Sequence, residues 1–76
     1  MSTKVEKSVG ENIRKLRERA GVTPQAMAIQ LQLGGCDVTT SAIAKIEAGQ
    51  RRLNVNEIVL IKQIIKASYD EIFNLE

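Results

Sequence analysis

Residues 39–52 read TTSAIAKIEAGQRR. Adjacent hydroxyls at Thr39, Thr40 and Ser41 are followed by an ammonium at Lys45 and two guanidiniums at Arg51 and Arg52. These groups donate and accept hydrogen bonds on mostly small side chains, and the last three add positive charge. Their chemistry is contact with a polar or anionic surface rather than bond making. Ile43 and Ile46 already supply an inward stripe, so a helix built only for packing has little use for the hydroxyls and the lysine.

Catalytic alternatives are thin. The chain has no histidine, no paired Asp/Glu constellation and no glycine-rich phosphate loop, and its lone Cys36 has no plausible base beside it. The same shortage of ligands argues against a metal site, and no cofactor is expected. A single cysteine cannot form an intramolecular disulfide, and Cys36 is expected as a small buried or turn residue in a reducing cytoplasm. No apolar run has the character of a signal peptide or approaches a membrane span, so no membrane partner is expected.

Charge is divided unevenly along the chain. Residues 1–52 carry nine Lys/Arg against five Asp/Glu, whereas residues 53–76 carry two against four. The first part therefore has the balance expected of a surface that meets a polyanion, and the second has the balance of one that does something else.

Positioning the polar groups requires a scaffold, and 76 residues allow one small domain. A chain of this size buries only about 60% of its unfolded surface, so help from a partner or a dimer interface is expected. Helix signals recur along the whole length, giving an all-α, five-helix parse with residues 1–8 as an N-terminal arm and 9–76 as the domain. Ser8 and Glu11 form a capping-box pattern that opens a first helix at about Val9, with Ile13, Leu16 and Ala20 inward and Gly21 as its stop. Thr23 caps a second helix with Pro24 at its first position and Met27, Ala28 and Leu31 inward. After the break at Leu33-Gly34-Gly35, Thr39 caps a third helix that ends at Gly49. Asn54 and Glu57 open a fourth helix through about Lys66, whose apolar residues span more than one stripe. Ser68 and Glu71 open a short fifth carrying Tyr69, Ile72, Phe73 and Leu75.

Three segments, IRKLRERAGVT at 13–23, MA at 27–28 and VTTSAIAKIEAGQR at 38–51, resemble the Cro/C1-type helix-turn-helix family, also called XRE regulators. The resemblance spans about Val9 to Phe73. It implies a five-helix, lambda-repressor-like DNA-binding domain whose third helix enters the major groove of double-stranded DNA. The positions that point into the groove in that family fall on Thr40, Ser41, Ala44 and Lys45. Lysine can donate to guanine O6 and N7, while Ala44 or the Thr40 methyl can meet a thymine methyl. Thr23, Gln25, Thr39, Arg51 and Arg52 are expected on the sugar–phosphate backbone. Arg17 and Glu47 match a structural ion pair between the first helix and the end of the third. The chain departs from the family in having Pro24 where a glutamine commonly follows the second cap, and in a turn LQLGGCDV about three residues longer than usual.

The leading expectation is a sequence-specific transcriptional regulator, a small repressor with no small-molecule ligand domain. It is expected to work as a homodimer through Ile61, Ile65, Ile72, Phe73 and Leu75. A protein-interaction module or antitoxin-like adaptor, using the apolar C-terminal helices, is the alternative.

Overall fold

The computed structural model describes residues 4–75. Five helices follow one another: α1 (Lys4–Arg19), α2 (Pro24–Leu33), α3 (Thr40–Glu47), α4 (Val55–Ile65) and α5 (Tyr69–Ile72). No strand occurs among the described residues. Side-chain caps open the last four. Thr23 Oγ1 accepts from the Ala26 N–H and Thr39 Oγ1 from the Ala42 N–H, each at 3.1 Å. Asn54 with Glu57 and Ser68 with Glu71 form complete capping boxes, in which each side chain serves the other residue's backbone.

The first helix begins earlier than its capping pattern implies. The chain is already helical at Lys4, and Ser8 lies inside α1 rather than at its start. The segment 4–8 is therefore not an arm, and the remainder of that expected arm lies outside the described residues. Lys4, Glu6 and Lys7 are good helix formers, so nothing in them halts propagation toward the N-terminus. Val9, Ile13 and Leu16 face the core as the 3.6-residue period requires, but Ala20 lies in the turn beyond the helix and is exposed.

One core joins all five helices. Ile13, Met27, Leu31, Val38, Ile43, Ile46, Ile61, Ile65 and Ile72 are its fully buried large side chains. This corrects the expected dimer surface. Ile61, Ile65 and Ile72 are sealed inside the monomer, because α4 and α5 both close against α1 and need those side chains to fill the space between them. Phe73 and Leu75 remain exposed.

The long turn between α2 and α3 is anchored at several points. The Cys36 N–H donates to the Leu31 carbonyl at 2.8 Å and the Gly35 N–H to that of Gln32 at 3.1 Å, closing the end of α2. Gly35 takes a φ of +90°, which an L side chain rarely adopts. Cys36 and Val38 then turn into the core while Asp37 stays outside. The Gln32 amide completes the brace by donating to the Val38 carbonyl at 3.0 Å. The extra residues thus carry α3 to its place without slack.

Candidate nucleic-acid interface

Helix α3 has two unlike sides. Ile43 and Ile46 are buried, whereas Thr40, Ser41, Ala44 and Lys45 are exposed together on the outer side. The side chains of Thr40, Ser41 and Lys45 make no hydrogen bond or ion pair with any other described residue. Every arginine among the described residues, by contrast, has a carboxylate within ion-pair distance. Lys45 is therefore an unpaired charge on the outer side of α3.

What holds α3 is equally specific. Arg17 of α1 grips Glu47 with two bonds, Nε to Oε2 at 2.7 Å and Nη2 to Oε1 at 3.1 Å. The two side chains are only 9% and 8% exposed. A third donor of the same guanidinium reaches the Val22 carbonyl at 2.9 Å, so one side chain ties the α1–α2 corner to the end of α3. Glu47 in turn raises the pKa of Arg17, chiefly through their hydrogen bonds.

Two glycines complete the seat. A Cβ on Gly10 of α1 would collide with the carbonyl oxygens of Ile46 and Glu47, so α1 and the last turn of α3 touch backbone to backbone. Gly49, at φ +75°, ends the helix where a Cβ would lie 2.7 Å from Lys7 Cα. Gly49 was legible as a helix stop. Gly10 had no such local signal, because its requirement comes from a helix more than thirty residues away in the chain.

The expected backbone contacts divide into three kinds. Thr23 and Thr39 are exposed caps; each uses its oxygen as an acceptor from an amide, which leaves the hydroxyl hydrogen to donate outward. Gln25 is exposed in the first turn of α2, and Pro24 occupies the position where an N–H has no intrahelical partner in any case. The arginines differ from each other. Arg52 is 84% exposed at its side chain, with Glu6 3.3 Å from Nε.

Arg51 is not the free clamp that its place in the loop implied. Its Nη1 and Nη2 donate to the two oxygens of Glu57, each at 2.9 Å, and Nη1 also reaches the Arg52 carbonyl. The Glu57 side chain is only 4% exposed. Its carboxyl is held below the ordinary range, first by the Arg51 hydrogen bonds and then by the Asn54 N–H, against the opposing effect of burial. Arg51 thus neutralises a buried carboxylate at the start of α4. The Asn54–Glu57 pattern revealed the cap, but no local spacing announced that Arg51 would share it.

Comparison with known families settles the class of this arrangement. The family model described as "Helix-turn-helix domain" matches residues 8–72. The chain belongs to that family. Its members are XRE-like DNA-binding domains, in keeping with the Cro/C1-type resemblance of the sequence, and membership implies DNA as a partner. No curated protein and no solved structure matches the chain. In this helix-turn-helix domain the capped α2, the braced turn and α3 form the unit that gives the family its name. No group of metal-ligating side chains and no helix long and apolar enough to cross a membrane occurs among the described residues.

Proposed function

We propose that the protein is a sequence-specific transcriptional repressor that lays α3 in the major groove of duplex DNA. The observation that carries this reading is the division of α3 itself. Its inner side is fixed by core packing, an ion pair and a backbone contact, while its outer side offers small, uncommitted polar groups and one free cation. A helix that must approach base edges closely needs that combination.

In this reading Thr40, Ser41, Ala44 and Lys45 meet base edges, with Lys45 as the main reader. Thr23, Gln25, Thr39 and Arg52 contact the backbone, and Arg51 supports them by holding the loop against α4. Binding alone is enough to occlude a promoter, which makes repression the simplest outcome. The protein acts as a homodimer in the reducing cytoplasm, because one helix-turn-helix reads only a few base pairs. Two copies on half-sites about 34 Å apart gain the needed specificity.

Selection from a random duplex pool, followed by titration of the enriched site at several salt concentrations, tests the proposal. The expected result is a two-fold symmetric motif with affinity that falls steeply as salt rises, the sign of phosphate contacts releasing counterions. No enrichment at low salt would overturn it in favour of a protein-interaction module.

A further inference from the structure

A cavity of about 220 Å³ opens where the start of α1, the α3–α4 loop, α4 and the end of α5 come together. Val5, Val9, Ile46, Leu53, Ile58 and Phe73 line it with hydrocarbon. Val9 and Ile46 are buried and form its floor, whereas Val5 and Phe73 are exposed and stand at its walls. The size is that of a small molecule. About 150 Å³ of apolar space holds a benzene-sized body, and drug-sized ligands take roughly 300–1,000 Å³.

The mouth carries two opposite charges. Glu6 Oε2 lies 3.3 Å from Arg52 Nε, and both residues border the cavity. The exposed Arg52 guanidinium donates no hydrogen bond to any other described residue, so it meets Glu6 through charge and its donors can turn to another acceptor. Arg51, the third charged residue of the lining, has no such freedom, since both its terminal nitrogens are bonded to Glu57. One carboxylate and one guanidinium therefore stand side by side at the edge of an apolar recess.

We infer that this recess binds a free α-amino acid with a large apolar side chain, its carboxylate on Arg52, its ammonium on Glu6 and its side chain against Val9, Ile46 and Leu53. The argument is charge complementarity. An anion of the same shape would bring its charge up to Glu6, and a cation would bring its charge up to Arg52, whereas a zwitterion serves both with groups on one carbon. The occupant also touches the parts that face DNA: Ile46 lies on the inner side of α3, and Arg52 is the proposed phosphate contact beside it. For this step alone the inference rests on the DNA reading above. An amino acid that engages Arg52 takes a phosphate contact away, so amino acid and DNA oppose each other's binding.

Titration of the full chain with L-leucine, without DNA and followed by amide and methyl NMR shifts, tests the site. Saturable shifts are expected at Val9, Ile46 and Leu53, with a dissociation constant of about 1 mM or tighter. 4-Methylpentanoate is leucine without its ammonium and 3-methylbutylamine is leucine without its carboxylate; each is expected to bind at least about tenfold more weakly. Leucine binding to Arg52→Ala and to Glu6→Gln should weaken by a similar factor. The Arg52 side chain is exposed, so circular dichroism should show that variant folded as the wild type. No saturable shift with L-leucine or L-phenylalanine, equal affinity for the two one-charge analogues, or unchanged affinity in both variants would each overturn the inference. Saturating leucine is then expected to weaken wild-type binding to the selected operator about fivefold. Unchanged operator affinity with leucine bound overturns the coupling, and a chain that binds leucine but no duplex overturns the DNA reading alone.

Discussion

Arg51 and Glu57 bond through two parallel contacts of 2.9 Å, with the carboxylate nearly out of reach of solvent. Removal of the guanidinium leaves that carboxylate with the Asn54 N–H as its remaining partner. Arg51→Ala is therefore expected to lower folding stability by about 2 to 3 kcal/mol, measured from urea midpoints at neutral pH. The pH dependence has a definite sign. Because the folded-state pKa of Glu57 is depressed, its stabilising effect is present above the ordinary carboxylate range and lost as pH falls through the depressed value. The wild-type and Arg51→Ala midpoints should converge on acidification; a constant gap would show that the pair is not responsible.

Arg17→Ala is expected to destabilise by about 3 to 5 kcal/mol, since it strands Glu47 in a buried position and frees the Val22 carbonyl. Lys45→Ala serves as the reference, with a change of about 0.5 kcal/mol or less because the lysine side chain is exposed and makes no hydrogen bond or ion pair. Chemical denaturation of both variants checks the contrast. Similar midpoints would mean that α3 is held by its isoleucines alone.

Gly10→Ala should also destabilise, by about 1 to 3 kcal/mol, because the added methyl meets backbone carbonyls that cannot rotate aside. Gly21→Ala tests a different mechanism, backbone strain at positive φ with open space around the Cβ. Amide exchange distinguishes them: Gly10→Ala should accelerate exchange at the Ile46–Gly49 end of α3, and Gly21→Ala should not. Equal protection at that end in both variants would remove the close-approach explanation.

Glu71 is bound by Arg19 at 2.6 Å and caps α5 through Ser68, and together these draw its pKa down to about 2. Carboxyl chemical shifts followed through an acid titration should report that value. In Arg19→Ala the pKa should rise yet stay below 4.5, since the Ser68 backbone N–H still donates. The grip on α5 is therefore complete above the ordinary carboxylate range and lost as pH falls toward about 2. An unchanged pKa in Arg19→Ala would assign the shift to the cap alone.

On DNA, Lys45→Ala should change which base is preferred at one position, whereas Arg52→Ala should weaken specific and random duplexes alike and reduce the salt slope by about 1. Titrations on both duplexes decide it. Uniform loss for Lys45→Ala, with discrimination intact, would remove it as a base reader.

Local order made much of this fold readable. The caps at Thr23, Thr39, Asn54 and Ser68 are short-range patterns, and the inward stripe of α3 follows from its period, so both could be seen in the chain alone. The same rule misplaced the start of α1, because Ser8 and Glu11 have capping spacing inside a helix that four preceding residues already propagate. Which apolar residues of α4 and α5 are covered depended on both helices closing against α1, which buries Ile61, Ile65 and Ile72, a long-range event with no local mark. Of the site, the outer residues of α3 and the Arg17–Glu47 match were legible through the family resemblance. The engagement of Arg51 and the need for Gly10 were not, since each is created by a neighbour brought up only on folding.

The seating of α3 from behind has a consequence for how such a protein can change. Gly10, Arg17, Ile43, Ile46 and Glu47 hold the helix, and Thr40, Ser41, Ala44 and Lys45 take no part in holding it. Those four positions behave as replaceable type in a fixed press. On the proposed reading of bases by these positions, new side chains there would alter the text that is read while the chain still folds, so libraries could explore new operators without first repairing the scaffold.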